Sequence, residues 1–173
     1  QLPFETTPGV AFVEVLNNGT PVTSEFLVVR STAPGVFSFS QDGKGQGAAL
    51  NQNSQTNDAT RPEARGRVLQ IFATGNGGLF LNSITRQPIT LATGSAAPAP
   101  LTVNDPLYLT TFTPTVTIGG IPASVEFSGL APGFVGLWQL NVRIPANAPT
   151  GNAVPLVVSA DGRTSNQTTV AIN

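Results

Sequence analysis

Apolar and polar residues alternate with a period of two along much of the chain. Trp138, Leu140 and Val142 fall on one face of an extended segment, whereas Gln139 and Asn141 fall on the other. This alternation is typical of an antiparallel strand with one face in a core and the other towards solvent. Further segments with the same alternation or a short apolar run are predicted to be strands, namely residues 12–16, 26–30, 36–40, 48–51, 67–74, 89–93, 107–112, 115–118, 123–128, 154–159 and 168–172.

Glycine and proline interrupt every stretch that could become a long helix. The chain has 18 Gly and 15 Pro, spread throughout its length. Gly119-Gly120 separates two predicted strands at the spacing of a two-residue hairpin. Thr60 and Glu63 have the spacing of a capping box, which predicts a single helical turn. The sequence therefore predicts an all-β protein of immunoglobulin-like β-sandwiches, antiparallel and without a long helix.

The opening of the chain repeats a pattern found near its end. Each copy has a proline, then a glycine, an apolar run, and a turn in which Asn or Asp precedes Gly. The landmarks are Pro3, Gly9, residues 12–16 and Asn18-Gly19 in the first copy, and Pro145, Gly151, residues 154–158 and Asp161-Gly162 in the second. We interpret residues 1–34 as the last strands of a partial immunoglobulin-like unit. Residues 35–173 are predicted to form a complete domain with an irregular insertion near residues 76–113.

A partial unit leaves an unpaired sheet edge, which is a template for another chain. The apolar run in residues 1–34 alternates between two faces, with Phe12, Glu14 and Leu16 on one and Val13 and Val15 on the other. Main-chain hydrogen bonds would hold an added strand, and side chains at alternate positions would set its register. These five residues are therefore the predicted assembly surface.

The low charge of the chain and the residue types that it lacks exclude several classes of binding partner and of catalytic mechanism. Only 10% of residues are charged and the net charge is −1, so neither a nucleic acid nor an anionic membrane surface is an expected partner. The sequence contains no run of 18 apolar residues, so no membrane-spanning helix is predicted. His, Cys and Met are absent, which excludes disulfides and the Ser-His-Asp and Cys-His types of nucleophile. The nine Asp and Glu residues are spread singly. We expect no catalytic activity, no cofactor and no metal ligand.

Several residues carry a structural and a functional interpretation side by side. Residues 51–58 are rich in Asn and predict either Asx turns or a calcium site. Arg65 is expected to pair with a carboxylate or with backbone carbonyls across the sandwich. Trp138 is either a core residue or, if exposed, a platform for a sugar, with Tyr108 as a second aromatic candidate. Glycosylation acceptor triplets begin at Asn18 and Asn166.

Longer motifs point to a known family. The motifs are Ala33-Pro34-Gly35-Val36-Phe37, Ala48-Ala49-Leu50-Asn51-Gln52, Pro62-Glu63-Ala64-Arg65-Gly66, Val116-Thr117-Ile118-Gly119-Gly120-Ile121-Pro122-Ala123 and Gly136-Leu137-Trp138-Gln139-Leu140-Asn141-Val142. Their combination resembles an uncharacterised C-terminal domain family of large secreted proteins of Acidobacteria such as Solibacter, whose repeated core is similar to IPT/TIG-type immunoglobulin-like domains. The resemblance implies no catalytic residue. It also implies a further strand set ahead of the position of Gln1, so that residues 1–34 form an incomplete sandwich.

Two functions fit these features. The first is a non-enzymatic structural subunit of an extracellular filament, tube or surface layer, which assembles by β-strand complementation and head-to-tail packing with copies of itself. The second is a carbohydrate- or protein-binding adhesion module of a larger secreted protein, with surface glycans as partners. Both place the chain outside the cell or on its surface.

Overall fold

The structure, a computed structural model, describes residues 3–173 and contains fourteen strands in that range. No helix long and apolar enough to cross a membrane occurs among these residues. The prediction of an all-β, antiparallel fold without a long helix is confirmed. The strands are β1 (Gly9–Asn17), β2 (Thr20–Val29), β3 (Gly35–Val36), β4 (Ala49–Leu50), β5 (Val68–Thr74), β6 (Phe80–Asn82), β7 (Pro88–Ile89), β8 (Tyr108–Thr110), β9 (Thr115–Ile118), β10 (Ile121–Leu130), β11 (Trp138–Arg143), β12 (Gly151–Ala160), β13 (Arg163–Thr164) and β14 (Thr168–Ile172).

Twelve of these strands form one sheet that folds over itself into two layers. Its main path runs β13-β12-β9-β10-β11-β5-β3, with β14 beside β12 and β4 beside β5. Strand β10 belongs to both layers, because its first residues pair with β9 and the rest pair with β11. Single parallel bridges join Gln46 to Thr169 and Glu63 to Ile172, so the free edge of β14 is covered and the sheet is nearly closed.

The core lies between the two layers and follows the period-two pattern of the sequence. Trp138, Leu140 and Val142 of β11 are fully buried and face the apolar side chains of β9, β12 and β14. The indole Nε1 of Trp138 donates to the Ser128 hydroxyl at 3.0 Å, and its ring packs edge-on against Phe112. A buried tryptophan with its N–H satisfied is a core residue. The core interpretation of Trp138 is confirmed, and the sugar-platform interpretation is wrong.

The irregular stretch between β5 and β9 contains three short strands. The predicted strand at residues 107–112 contains β8, whereas the one at residues 89–93 shares only Ile89 with β7, and β6 was not predicted. They surround a second, smaller apolar cluster of Phe80, Ala97 and Leu130. The segment 96–100 lies only partly at the surface, because Ala97 is buried and its N–H donates to the carbonyl of Phe134.

The helical turn predicted at Thr60 is absent. The Asp58 carboxylate instead accepts the backbone N–H groups of Thr60 and Arg61, at 2.9 and 3.0 Å. Its second oxygen accepts from the Arg61 guanidinium. A side chain that satisfies these donors locally favours a tight turn over a helix. The capping-box spacing was therefore misleading.

Candidate functional site

Strands β1 and β2 form a two-stranded antiparallel hairpin that is separate from the large sheet. Their pairing runs from Gly9 opposite Val29 to Asn17 opposite Thr20, with a bulge where Val15 passes to Leu16. The two-residue turn uses Asn18 and Gly19, both with positive φ, of 49° and 79°. Asn-Gly is the preferred pair for a turn of this kind because both positions need a left-handed backbone.

Both faces of this hairpin are apolar. The cross-strand register puts Val10, Phe12, Phe26 and Val28 on one side, which we call the phenylalanine face. Ala11, Val13, Val15, Leu27 and Val29 lie on the other side, which we call the valine face.

The phenylalanine face is open to solvent. Val10 is 73% exposed, Phe12 57% and Phe26 69%, and the rings of Phe12 and Phe26 lie 5.2 Å apart. The valine face is less open, since Ala11 and Val13 are half-buried, but Val15 and Leu27 remain exposed. A lone two-stranded hairpin is at best marginally stable in water, and a contiguous apolar surface of this kind usually marks an interaction site.

Contacts at both ends fix the base of the hairpin to the rest of the molecule. Ahead of β1, the ring of Phe4 packs edge-on against Phe80 at 5.2 Å, and its N–H donates to the Thr93 hydroxyl. That hydroxyl donates to the Glu5 carboxylate at 2.7 Å, which lowers the pKa of Glu5.

After β2, the chain is tied to the end of β12 and to β5. The Thr32 hydroxyl donates to the carbonyl of Ala160 at 3.3 Å, and the Ser31 hydroxyl donates to Asp161 at 2.9 Å. The N–H of Ala33 donates to the carbonyl of Gly75. The hairpin is therefore held at its base while its strands pair only with each other.

The two edges of the hairpin differ in their protection. Natural sheet edges are usually blunted by proline, lysine or a covering segment. Strand β2 carries Pro21, whereas β1 has no proline and no basic residue, and its only charged side chain is Glu14. In residues 3–173, no strand other than β2 pairs with β1. The free edge of β1 is thus the less protected one.

The repeat predicted from the sequence is present in the backbone. Gly9 and Gly151 begin β1 and β12 with the same unusual φ, 148° and 146°. The turns also agree, because Asn18 and Asp161 have φ values of 49° and 48°. Strand β2 corresponds to β13 and β14 taken together, as these pair with β12 in the same order. The hairpin thus shares its starting glycine and its turn with the last strands of the sandwich, although β12 is one residue longer than β1.

The predicted assembly residues all lie on β1. Sequence reasoning missed the contribution of β2, where Phe26, Leu27 and Val28 extend the two apolar faces. The sequence signal is that residues 26–29 are an unbroken apolar run, which offers a side chain to each face of a strand.

Arg65 has a structural role. Its Nε donates to the carbonyl of Ala148 at 2.6 Å, across the sandwich from the segment that precedes β5. The predicted pairing with a backbone carbonyl is confirmed. Neighbouring Arg67 lies 3.9 Å from the Glu63 carboxylate.

The asparagines of residues 51–58 are also engaged in structure. The side chain of Asn57 is fully buried and donates to the amide oxygen of Asn51 and to the carbonyl of Ala171, at 2.8 and 2.9 Å. Its own oxygen accepts the N–H of Ala171. No group of three or more acidic side chains that could hold a metal ion is present in residues 3–173.

The two glycosylation triplets differ in access. Asn18 lies at the exposed tip of the β1–β2 hairpin. The Asn166 amide nitrogen donates to the carbonyls of Val36 and Gly43, at 2.9 and 2.6 Å, and the third residue of its triplet, Thr168, is fully buried. A sugar on Asn166 would replace one of these donor hydrogens, so modification of the folded chain is favoured at Asn18.

Comparison of the chain with protein-family models, with curated proteins and with solved structures finds no match. The resemblance to the acidobacterial secreted family therefore stays a prediction, and the geometry of the hairpin carries the functional argument.

Proposed function

We propose that this chain is a non-enzymatic structural subunit of an extracellular filament, tube or surface layer. Its β1–β2 hairpin is the assembly element, which is completed by β-structure from outside the folded body through β-strand complementation. Head-to-tail packing of further subunits extends the assembly, since heterologous contacts that do not close into a ring propagate.

The exposed apolar hairpin is the observation that supports this proposal. Two faces of β-branched and aromatic side chains meet water on strands that, within residues 3–173, pair only with each other. Removal of such apolar surface from water is favourable by roughly 25 cal/mol per Å², before the entropy lost on association is subtracted. The contacts of Phe4 and Thr32 hold the base of the hairpin against the body of the molecule, which lowers the entropy lost on binding.

A charge placed on the phenylalanine face tests the proposal. We expect the unmodified chain to self-associate in sedimentation velocity between about 1 and 200 µM, because apolar interfaces of ordinary size give dissociation constants in the micromolar range or tighter. Phe26→Lys should weaken that association roughly tenfold or more, because a desolvated charge costs well over 1.4 kcal/mol. Val103→Lys is the matched control, since Val103 is also an exposed apolar residue, at 96% against 69% for Phe26, and lies on a loop outside the hairpin.

Two results would count against the proposal. One is a monomer throughout the concentration range with no polymer visible by electron microscopy. The other is equal weakening by Phe26→Lys and Val103→Lys, because a specific interface responds only to changes within it.

An adhesion module is the second candidate function, and one surface feature favours it. Tyr108 lines a shallow depression of about 280 Å³ together with Pro98, Pro100, Leu101 and Pro106. Aromatic and proline rings offer flat apolar surfaces to a sugar or to an extended peptide. Binding to a polysaccharide panel that is lost in Tyr108→Ala and kept in Phe134→Ala would favour this candidate, and absence of binding to the whole panel would remove its carbohydrate form.

A further inference from the structure

The second copy of the repeat shows how a hairpin of this shape is covered. There, β12 pairs with β14 on one edge and with β9 on the other, antiparallel, from Leu156 opposite Ile118 to Ser159 opposite Thr115. Counted back from the turn, where Asn18 aligns with Asp161, Leu156 and Ser159 correspond to Val13 and Leu16 of β1. Strand β1 therefore corresponds to an interior strand of a sheet, whose second edge takes an antiparallel neighbour.

The buried side of the second copy identifies the equivalent face of the hairpin. Leu156 and Val158 are fully buried in the core of the sandwich. Their counterparts, Val13 and Val15, lie on the valine face. The surface to be covered thus consists of the free edge of β1 and the valine face beside it.

The sequence of β1 is complementary to itself when it runs antiparallel. A twofold axis through Val13, the central residue of Gly9–Asn17, pairs the whole strand, with Gly9 opposite Asn17 of the second copy. Ala11 then lies opposite Val15, so small and large apolar side chains meet on the valine face. Glu14 lies opposite Phe12 rather than opposite another carboxylate. An axis through Glu14 would instead oppose two like charges, which is destabilising.

We propose that β1 pairs antiparallel with β1 of a second copy of this chain about a twofold axis through Val13. The two hairpins then form a four-stranded sheet in which both valine faces lie on the same side. This inference rests on the proposed function, because it names the partner and the register of the same hairpin. Such an interface closes on itself and leaves the phenylalanine face uncovered. Growth into a filament, which Phe26→Lys is expected to weaken, would use that face.

Single cysteines test the register without interference, because the chain has no native cysteine. In a directly opposed antiparallel pair the Cβ atoms are about 4.5–5.5 Å apart, close to the separation of a disulfide, whereas diagonal neighbours are about 7–8 Å apart. We expect Val13→Cys to form a covalent dimer under mild oxidation at least about tenfold faster than either control. The controls are Glu14→Cys, the next residue on the same strand, and Glu25→Cys, which faces Val13 from β2.

Each result separates the inference from the proposed function. Rapid cross-linking at Val13 alone supports the inference, even if no polymer forms. Self-association that is sensitive to Phe26→Lys but cross-links best at Glu14 or Glu25 overturns the inference and leaves the proposed function standing. Association without cross-linking at any of the three positions also overturns it, and favours another occupant such as a β-sandwich that lacks its own last hairpin. A monomer that shows neither association nor cross-linking overturns both.

Discussion

At the scale of single residues, buried amides connect the end of the chain to its middle. Asn57 joins Asn51 on its own loop to the backbone of Ala171 in β14, and every polar atom of its side chain is used. Gln46 adds a donor to the Asn57 oxygen at 3.1 Å. A fully satisfied polar network of this kind specifies one packing arrangement, whereas a broken one leaves costly unpaired groups. The loop 51–58 therefore closes the edge of β14.

We expect Asn57→Ala to lower the free energy of unfolding by about 2–4 kcal/mol, because it leaves the Ala171 N–H and the amide oxygen of buried Asn51 without partners. Chemical denaturation measures this change. Asn53→Ala is the control, since Asn53 is exposed and bonds only to Gln55, and it should cost less than about 0.5 kcal/mol. Similar losses for the two variants would show that the Asn57 network is not a stabilising element.

At the scale of elements, two adjacent glycines of the β9–β10 turn differ in the space around them. Ile118 pairs with Ile121 around Gly119 and Gly120, which both have positive φ, of 61° and 78°. The hairpin predicted from their spacing is confirmed. A Cβ on Gly119 would lie 2.2 Å from the Pro149 ring, whereas a Cβ on Gly120 would meet open space.

The turn therefore supplies a matched pair of variants. Gly120→Ala should cost only the strain of a left-handed alanine, about 1–2 kcal/mol. Gly119→Ala adds a clash with the Pro149 ring, and overpacking of this kind costs about 1–3 kcal/mol more. Thermal unfolding of the two variants gives the difference directly, and equal melting temperatures would show that Pro149 moves away freely.

The two hairpins of the repeat illustrate how one local pattern reaches two different environments. Val154, Leu156 and Val158 of β12 are buried against the opposite layer, whereas the corresponding run of β1 is only half-buried at Ala11 and Val13 and is exposed at Val15. Turn residues and alternation are alike in both, so the local signals for a hairpin are the same. The difference arises from the strands that β12 has beside and above it and β1 does not.

At the scale of the whole molecule, charged residues are few, and the shifts in their pKa values arise from groups close to them in the chain. The pKa of Asp58 is held well below its usual range by the Arg61 guanidinium and the Thr60 hydroxyl. The Ser40 hydroxyl and the N–H of Lys44 lower the pKa of Asp42, as the backbone N–H groups of Thr102 and Leu101 lower that of Asp105. All three carboxylates stabilise turns at the surface rather than a site.

These shifts predict the pH dependence of stability. A carboxyl whose pKa is lower in the folded state stabilises the fold above its unfolded pKa, about 3.9 for Asp, and that contribution is lost as the pH falls through the folded pKa. The chain has no His to titrate between about pH 5 and 8. The melting temperature should therefore be nearly constant from about pH 8 to 5 and fall below about pH 4.

Scanning calorimetry across this range checks the prediction. In Asp58→Asn the amide cannot titrate, so the melting temperature at neutral pH should be lower and the fall in acid shallower than in the unmodified chain. A rise in stability on acidification below about pH 4 would contradict the sign of all three shifts.

The sequence by itself determined the class of the fold, the principal strands and the tight turns. These depend on neighbours in the chain, such as the alternation around Trp138 or the left-handed pair Gly119-Gly120, and a single sequence contains them in full. It also determined the position of the repeat. Gly9 and Gly151 take the same backbone conformation, which only glycine adopts readily.

Only the tertiary structure decided which apolar residues are covered and which polar residues are structural. Burial of Val154 but not Phe12 depends on the other strands of the sandwich, and the use of Asn57 as a connector depends on Ala171, 114 residues further along the chain. Short strands such as β6 form because a neighbouring strand supplies hydrogen bonds, which no local propensity encodes. Local patterns specify elements, and the free energy of burying them is fixed only when the distant partners are in place.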